Sequence, residues 1–300
     1  MLRVALCALA LAACQKRDPL FCGSHPGDPR CLDDAGVADA PPDAPPGFET
    51  IGGTVLDNLA GTGLVLEDNA TDDLMIGSAG SFQFATPLEM GTPYQVTVSS
   101  QPITPSQSCE VTNGSGTANA DVSDVTVSCT TNKFVVSGAV YGLNNDQSVV
   151  LQLNGGNDIM IDGNGSAGGQ SFAFTSAPLA SGTTFGVAIG TQPAEQTCSI
   201  SGGSGMVGDG DITTVVVDCA TNSYILSGNI TGLDGTVTVT DGTDSVSPAA
   251  NGSFAFPPLL AGTSYTVVVT TQPTYPPLAQ TCTVTNGGPS TLTTNVSNVM

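Results

Sequence analysis

Residues 91–129 read GTPYQVTVSSQPITPSQSCEVTNGSGTANADVSDVTVSC, and they carry the strongest strand signal in the chain. Tyr94, Val96 and Val98 alternate with Gln95 and Thr97, the period of a strand with one face in a core and the other in water. Gln101-Pro102 ends it, because proline offers no N–H to a strand ladder. Cys109 follows, then a turn of glycine, asparagine and serine, and then a valine strand that closes on Cys129. Two cysteines on successive strands pair locally, Cys109 with Cys129, and close a loop of about 20 residues. On the chain-entropy model such a bond contributes roughly 3 kcal/mol.

The same pattern recurs twice further along the chain. The second copy has Phe185, Val187 and Ile189, then Gln192-Pro193, then Cys198 and Cys219, which pair in the same way. The third has Tyr265, Val267 and Val269, then Gln272-Pro273 and Cys282. Each copy opens on a glycine-led strand, at Gly53, Gly138 and Gly228, and continues into a second strand of alternating apolar residues. That second strand carries Leu64 and Leu66, then Val149, Leu151 and Leu153, then Val237 and Val239. An aromatic pair follows, Phe82/Phe84, Phe172/Phe174 or Phe254/Phe256, spaced so that both rings share one face. Repeats at this period mark tandem modules, expected at 48–131, 132–221 and 222–300. Asn295–Val299 corresponds to Asp121–Val125, so Met300 comes just before the cysteine that the pattern calls for, and Cys282 is left unpaired. A truncated gene or fragment accounts best for this, since the pattern holds to the last residue. An intermolecular disulfide and a degenerate final repeat stay open.

Six or seven short strands per copy, glycine-rich turns and no helical period predict an all-β chain of three tandem antiparallel β-sandwich modules with Ig-like or prealbumin-like architecture. The glycine-led strand, Ser-Phe-x-Phe and Gly-Thr-x-Tyr/Phe-x-Val resemble carboxypeptidase-regulatory, or prealbumin-like, modules and repeats of bacterial surface lipoproteins of unassigned function. True immunoglobulin domains match less well, since they join distant strands beside a tryptophan and this chain has none. The resemblance spans residues 48–300, and it implies β architecture with no catalytic residue.

The first residues carry a different signal. Arg3 precedes an apolar run from Val4 to Ala13, too short to span a bilayer and long enough for the h-region of a signal peptide, expected at 1–13. Leu11-Ala12-Ala13-Cys14 resembles the lipobox of bacterial lipoproteins, which implies diacylglyceryl transfer to Cys14 and a membrane anchor of several acyl chains, palmitate among them. Gln15 stands where lipoproteins retained at an inner membrane often carry Asp, so the outer membrane is favoured where the cell has one. Export lets disulfides persist, and Cys22 and Cys31 then close a small loop around His25. Zinc is the sharper alternative there, but two cysteines and one histidine fall short of four ligands. From Leu32 to Gly47 the chain is acidic and proline-rich, a spacer within the 14–47 segment that could reach on the order of 50 Å.

With 26 Asp and Glu against 5 Lys and Arg, the chain has a formal charge of -21, and Lys133 is the one basic residue after Arg30. Phosphate binding needs positive charge, so nucleic acid is excluded as a partner. A Ser-His-Asp triad or an HExxH site cannot be built within the modules, which hold no histidine. Redox catalysis fails too: neither pair has CxxC spacing or a basic neighbour to lower a thiol pKa. The chain is therefore expected not to be an enzyme and to need no cofactor. Asp158, Asp162 and Asn164 could offer oxygens to calcium, but the spacing is not an EF-hand loop and a turn is the better reading. The stretch between Gln-Pro and Cys varies in length, with six residues at 103–108, four at 194–197 and eight at 274–281. Such tolerance marks an exposed tip, and Tyr275-Pro276-Pro277 makes it a candidate contact site. A lipid-anchored stalk or adhesin-like surface protein is the leading functional reading, with a cell-surface protein or glycan as partner. Carbohydrate- or calcium-binding modules, and the leading part of a larger secreted enzyme or receptor, are the alternatives.

Overall fold

A strand with an apolar residue at every second position must lie between a core and water, and each repeat supplies enough such strands to cover a core from two sides. The structure, a computed structural model, describes residues 47–165, 168–275 and 278–300. Cys14, Cys22, His25 and Cys31 lie outside the described residues, as do the leader and most of the spacer.

The first module is built from β1 (Phe48–Glu49), β2 (Ile51–Val55), β3 (Leu64–Asp68), β4 (Asp72–Ile76), β5 (Gly80–Gln83), β6 (Leu88–Glu89), β7 (Pro93–Ser100), β8 (Gln107–Thr112), β9 (Ser115–Thr117) and β10 (Val122–Thr131). One sheet has the order β5-β2-β10-β8 and the other β4-β3-β7-β9, while β1 and β6 form a short ribbon. The last strand inserts beside the first: β10 runs parallel to β2, with Val127 beside Val55, and antiparallel to β8 on its other edge. Ile51, Val55, Val125 and Val127 face Leu64, Leu66, Tyr94 and Val96 across the core. Burying each of these side chains fully is worth roughly 1.5–3 kcal/mol.

Glycine opens each copy because the final strand comes very close there. The register of β10 shifts between Val122 and Val125, and a Cβ on Gly53 would lie 1.8 Å from the Val125 carbonyl oxygen. The same overlap is 1.9 Å at Gly138 against Val215 and 2.1 Å at Gly228 against Val299. Only a residue without a side chain admits the bulge.

The second module repeats the plan with β11 (Lys133–Phe134), β12 (Val136–Tyr141), β13 (Ser148–Leu153), β14 (Gly156–Asp162), β15 (Gln170–Ala173), β16 (Leu179–Ala180), β17 (Thr184–Thr191), β18 (Gln196–Ser201), β19 (Ser204–Met206) and β20 (Ile212–Thr221). Its sheets are β15-β12-β20-β18 and β14-β13-β17-β19. The third has β21 (Ser223–Tyr224), β22 (Leu226–Ile230), β23 (Thr238–Thr240), β24 (Ser245–Val246), β25 (Gly252–Ala255), β26 (Leu259–Leu260), β27 (Ser264–Tyr265), β28 (Val268–Thr271), β29 (Thr274–Tyr275), β30 (Leu278–Ala279), β31 (Ser290–Thr291) and β32 (Val296–Val299). Its sheets are reduced to β25-β22-β32 and β24-β23-β28, and the Cys282 segment forms no strand. Three separate clusters of buried side chains result, one per module. The paired phenylalanines meet edge to face in every copy, with centroids 6.0, 5.9 and 5.8 Å apart.

The chain is all-β, in antiparallel sheets apart from the parallel first and last strands of each module. Among the described residues no helix is long and apolar enough to cross a membrane. The first two modules have more strands than the six or seven expected. The turn expected at Asn157–Asn164 is instead largely β14, an edge strand paired with β13, and the reversal sits before it at Asn154-Gly155. Ile159 and Ile161 pack on the core from this strand while Asp158 and Asp162 point outward, a period of two that the flanking Asn-Gly pairs disguise.

Candidate functional site

Each cysteine pair sits at one register position of adjacent antiparallel strands. Cys109 faces Cys129 across β8 and β10, and Cys198 faces Cys219 across β18 and β20. Both are bonded, with S–S distances of 2.08 and 2.02 Å. Each cystine staples the inserted last strand to its outer neighbour, so the strand that completes the sandwich cannot peel away.

Two glutamines per copy hold the cysteine strand in place; the first reads in the sequence only as half of a strand-ending Gln-Pro pair, and the second was passed over. Gln101 extends beyond the end of β7 and clamps the Cys109 backbone: its Oε1 accepts the Cys109 N–H at 2.7 Å and its Nε2 donates to the Cys109 carbonyl at 3.0 Å. Gln192 does the same for Cys198, and Gln272 for Cys282, where the distances are 2.7 and 3.1 Å. The side-chain amide thus stands in for one rung of a ladder that proline has ended. The second glutamine comes two residues before each cysteine. Gln107 is buried and accepts the Ala60 and Gly61 N–H groups at 2.8 and 2.7 Å while donating to the Asn58 carbonyl at 2.9 Å. Gln196 likewise ties Asn144 and Gly142, and Gln280 ties Asp234 and Gly232. The recurring Gln-x-Cys was the available signal.

In the third copy these supports are present, and no described residue is bonded to the cysteine sulfur. Cys282 is free. β32 reaches β22 only as far as Gly228 and Val299, whereas β10 continues along β2 to Val55. Thr285 and Met300 exchange both backbone hydrogen bonds, at 2.6 and 3.0 Å, and the two walls then diverge. Beyond them lies a groove of about 380 Å³ between the Ile230 end of β22 and residues 281–285, floored by Val237, Val239 and Phe254.

The variable loop is not simply an exposed tip. In the first copy it bends back so that Ser106 is buried, and the Ser106 N–H donates to Ser181 Oγ of the next module at 2.8 Å. Asn132 bridges the two: its N–H donates to the Ser106 carbonyl and its own carbonyl accepts from Ser181 N–H. The second junction repeats this, with Asn222 N–H donating to Glu195 and Ala261 N–H to Asn222. Length varies in the loop because only its last residues must meet the linker asparagine; Ile103 remains exposed. Pro276 and Pro277 of the third loop lie outside the described residues.

Acidic side chains act here as hydrogen-bond acceptors. Asp121 accepts the Thr50 N–H and hydroxyl at 2.7 and 2.8 Å, and the N–H bond foremost holds its carboxyl below the ordinary value. Asp211 and Asn295 make the equivalent backbone bond to Val135 and Ile225. Asp68 is buried and accepts the Gln95 N–H at 3.0 Å; burial pushes its carboxyl above the ordinary value, and the Asp72 charge adds to this against the pull of the Gln95 bond. Asp158 and Asp162 lie four residues apart on one strand, which separates them by about 13 Å, too far to share an ion. Among the described residues no group of three or more His, Cys, Asp or Glu could hold a metal.

Fold and site together define a tandem β-sandwich protein whose first two modules carry a cross-strand cystine. No family model matches the chain, and no curated protein does. Among solved structures it is similar to the Bacillus anthracis TIE protein, at 11% identity and a TM-score of 0.46, covering 84% of this chain and 50% of that one. It is also similar to a streptococcal ancillary pilin, at 12% identity and a TM-score of 0.24 over 84% of this chain and 98% of the other. A third is the pair of B repeat units of the collagen binding protein of Staphylococcus aureus, at 13% identity and a TM-score of 0.23, covering 84% and 74%. The chain thus spans half the length of the TIE protein.

Proposed function

We propose that this is an exported surface protein that works mechanically and by contact rather than by catalysis. In this reading residues 1–13 are the export signal, lipid on Cys14 holds the protein to the outer membrane, residues 14–47 space it from the lipid, and modules at 48–131, 132–221 and 222–300 form the stalk. One observation carries the stalk: both junctions are built from the same backbone bridge, through Asn132 and Asn222. A junction that repeats its hydrogen bonds repeats its geometry, so force applied at one end passes along the chain instead of bending it at linkers. The staples serve the same end, since a strand fixed to its neighbour by a cystine resists shear.

The test has two arms. Cells fed a fatty-acid analogue should label the wild-type chain and leave Cys14→Ala unlabelled, and label surviving the substitution would remove the anchor. Small-angle scattering of residues 47–300 should give a single extended particle whose maximum dimension is sharply defined. Asn132→Pro with Asn222→Pro, which removes the N–H groups donated to Ser106 and Glu195, should broaden that distribution, and an unchanged curve would remove the stiff stalk.

A further inference from the structure

We propose that the open edge of β14 in the second module, with the matching edge of β4 in the first as a weaker copy, is a docking site for an extended segment of a basic protein, one in which two cationic side chains flank an apolar side chain at alternate positions. This goes beyond the stalk reading and holds with or without the anchor.

Among the described residues β14 has one neighbour, β13, and lies at the rim of the sheet β14-β13-β17-β19. The Gly163 N–H donates to the Gln147 carbonyl at 2.8 Å. An antiparallel ladder bonds alternate pairs, so Ile161 and Ile159 direct their backbone groups to β13, and Asp158, Met160 and Asp162 direct theirs to the open side. Side chains divide the same way: Ile159 and Ile161 pack on the core, while Asp158 and Asp162 are exposed and Met160 is 64% exposed. Proteins usually blunt such an edge with a short strand, a proline or a charge. The third module does so. Its Val246 pairs with Val239 as Ile159 pairs with Leu151, which puts Ser247 and Pro248 at the places of Met160 and Ile161, and β24 is two residues long. The first module instead repeats the open edge, with Asp73-Leu74-Met75-Ile76 standing for Asp158-Ile159-Met160-Ile161 and Met75 77% exposed.

Charge selects the occupant. A second copy of β14 laid antiparallel about Met160 would set Asp158 opposite Asp162 twice, and like charges directly opposite destabilise a pair. The formal charge of -21 repels further copies as well. A strand with lysine or arginine two residues either side of an apolar residue reverses this: its cations face Asp158 and Asp162, its apolar side chain lies against Met160, and its backbone extends the sheet. β4 has Gly77 at the place of Asp162, so it offers one charge instead of two.

The experiment uses the full chain and the peptide TKVLVKT with both ends blocked, and reads oxidation of each methionine by dilute hydrogen peroxide through peptide mapping. Peroxide gives one oxygen to the thioether sulfur, forming the sulfoxide, and is itself reduced to water. Met206 and Met90 serve as references, since both are exposed, Met206 on β19 at the opposite edge of the same sheet and Met90 just after β6. Saturating peptide should slow oxidation at Met160 at least about fivefold, slow it less at Met75, and leave Met90 and Met206 unchanged. N-methylation of the peptide's leucine, which removes the N–H that the Met160 carbonyl would accept, should abolish the protection, and so should Asp158→Asn with Asp162→Asn in the protein. Equal protection of Met160 and Met206 would overturn the proposal, as would protection by the N-methylated peptide or protection that survives loss of both aspartates. No protection at millimolar peptide would overturn it too. So would shielding of Met160 without peptide as the protein is concentrated, since the occupant would then be a second copy.

Discussion

Asp68 occupies a buried place that the three modules fill differently, with Leu153 in the second and Asp241 in the third. Its counterpart in the second module is Leu153, which pairs with Val187 as Asp68 pairs with Val96. The core therefore accepts an apolar residue at that place. Burial raises the pKa of Asp68 in the folded state, so the native chain holds the proton more tightly than the unfolded chain does. The stabilisation that follows is present in full below the unfolded pKa and is lost as pH rises through the folded one. In an Asp68→Asn variant the side-chain carbonyl could still accept the Gln95 N–H. That variant should thus match or exceed wild-type stability at neutral pH, and wild type should gain on it as pH falls through that window. Thermal denaturation at closely spaced pH values checks this, and a difference independent of pH would contradict it.

At the scale of strands, the pressure of each last strand on the first is the feature most exposed to substitution. Gly138→Ala forces a Cβ into the Val215 carbonyl, and backbone cannot yield there as a flexible side chain would. Overpacking that shifts side chains and backbone costs about 1–3 kcal/mol and occasionally more. Denaturant unfolding should show the second module destabilised by at least that amount. The Gly53, Gly138 and Gly228 positions were legible in the sequence as glycine-led strands, and so were the alternating strands, the phenylalanine pairs and the local cysteine partners. β14 was not, because Asn154-Gly155 and Asn164-Gly165 bracket it with turn chemistry while its outward face is acidic. The glutamine clamps leave no periodic trace at all. They were visible only as recurrences, and recurrence does not say what an amide bonds to.

For the molecule as a whole, the division into three cores followed from the repeats, whereas the junctions did not. A loop of varying length reads as a free tip, and only its contact with the linker asparagine shows that its base is buried while its middle varies. The acidic surface sets what the assembled chain can meet: with one basic residue past Arg30, it will not gather on phosphate-rich surfaces. Cystines in two of the three modules divide the stability unevenly. Under reductant the first two modules should each lose about 3 kcal/mol on the chain-entropy model, and the third should melt where it did before, as seen by calorimetry with and without reductant.

The fold and the stalk both require the last strand of each of the first two modules to be stapled to its neighbour outside a reducing compartment. Native protein purified without reductant, alkylated, digested and mapped by mass spectrometry reads this directly. The fold requires linked peptides joining Cys109 to Cys129 and Cys198 to Cys219, with alkylation confined to Cys282 among these five. Alkylated thiols at those four positions, or links that cross between modules, would contradict it.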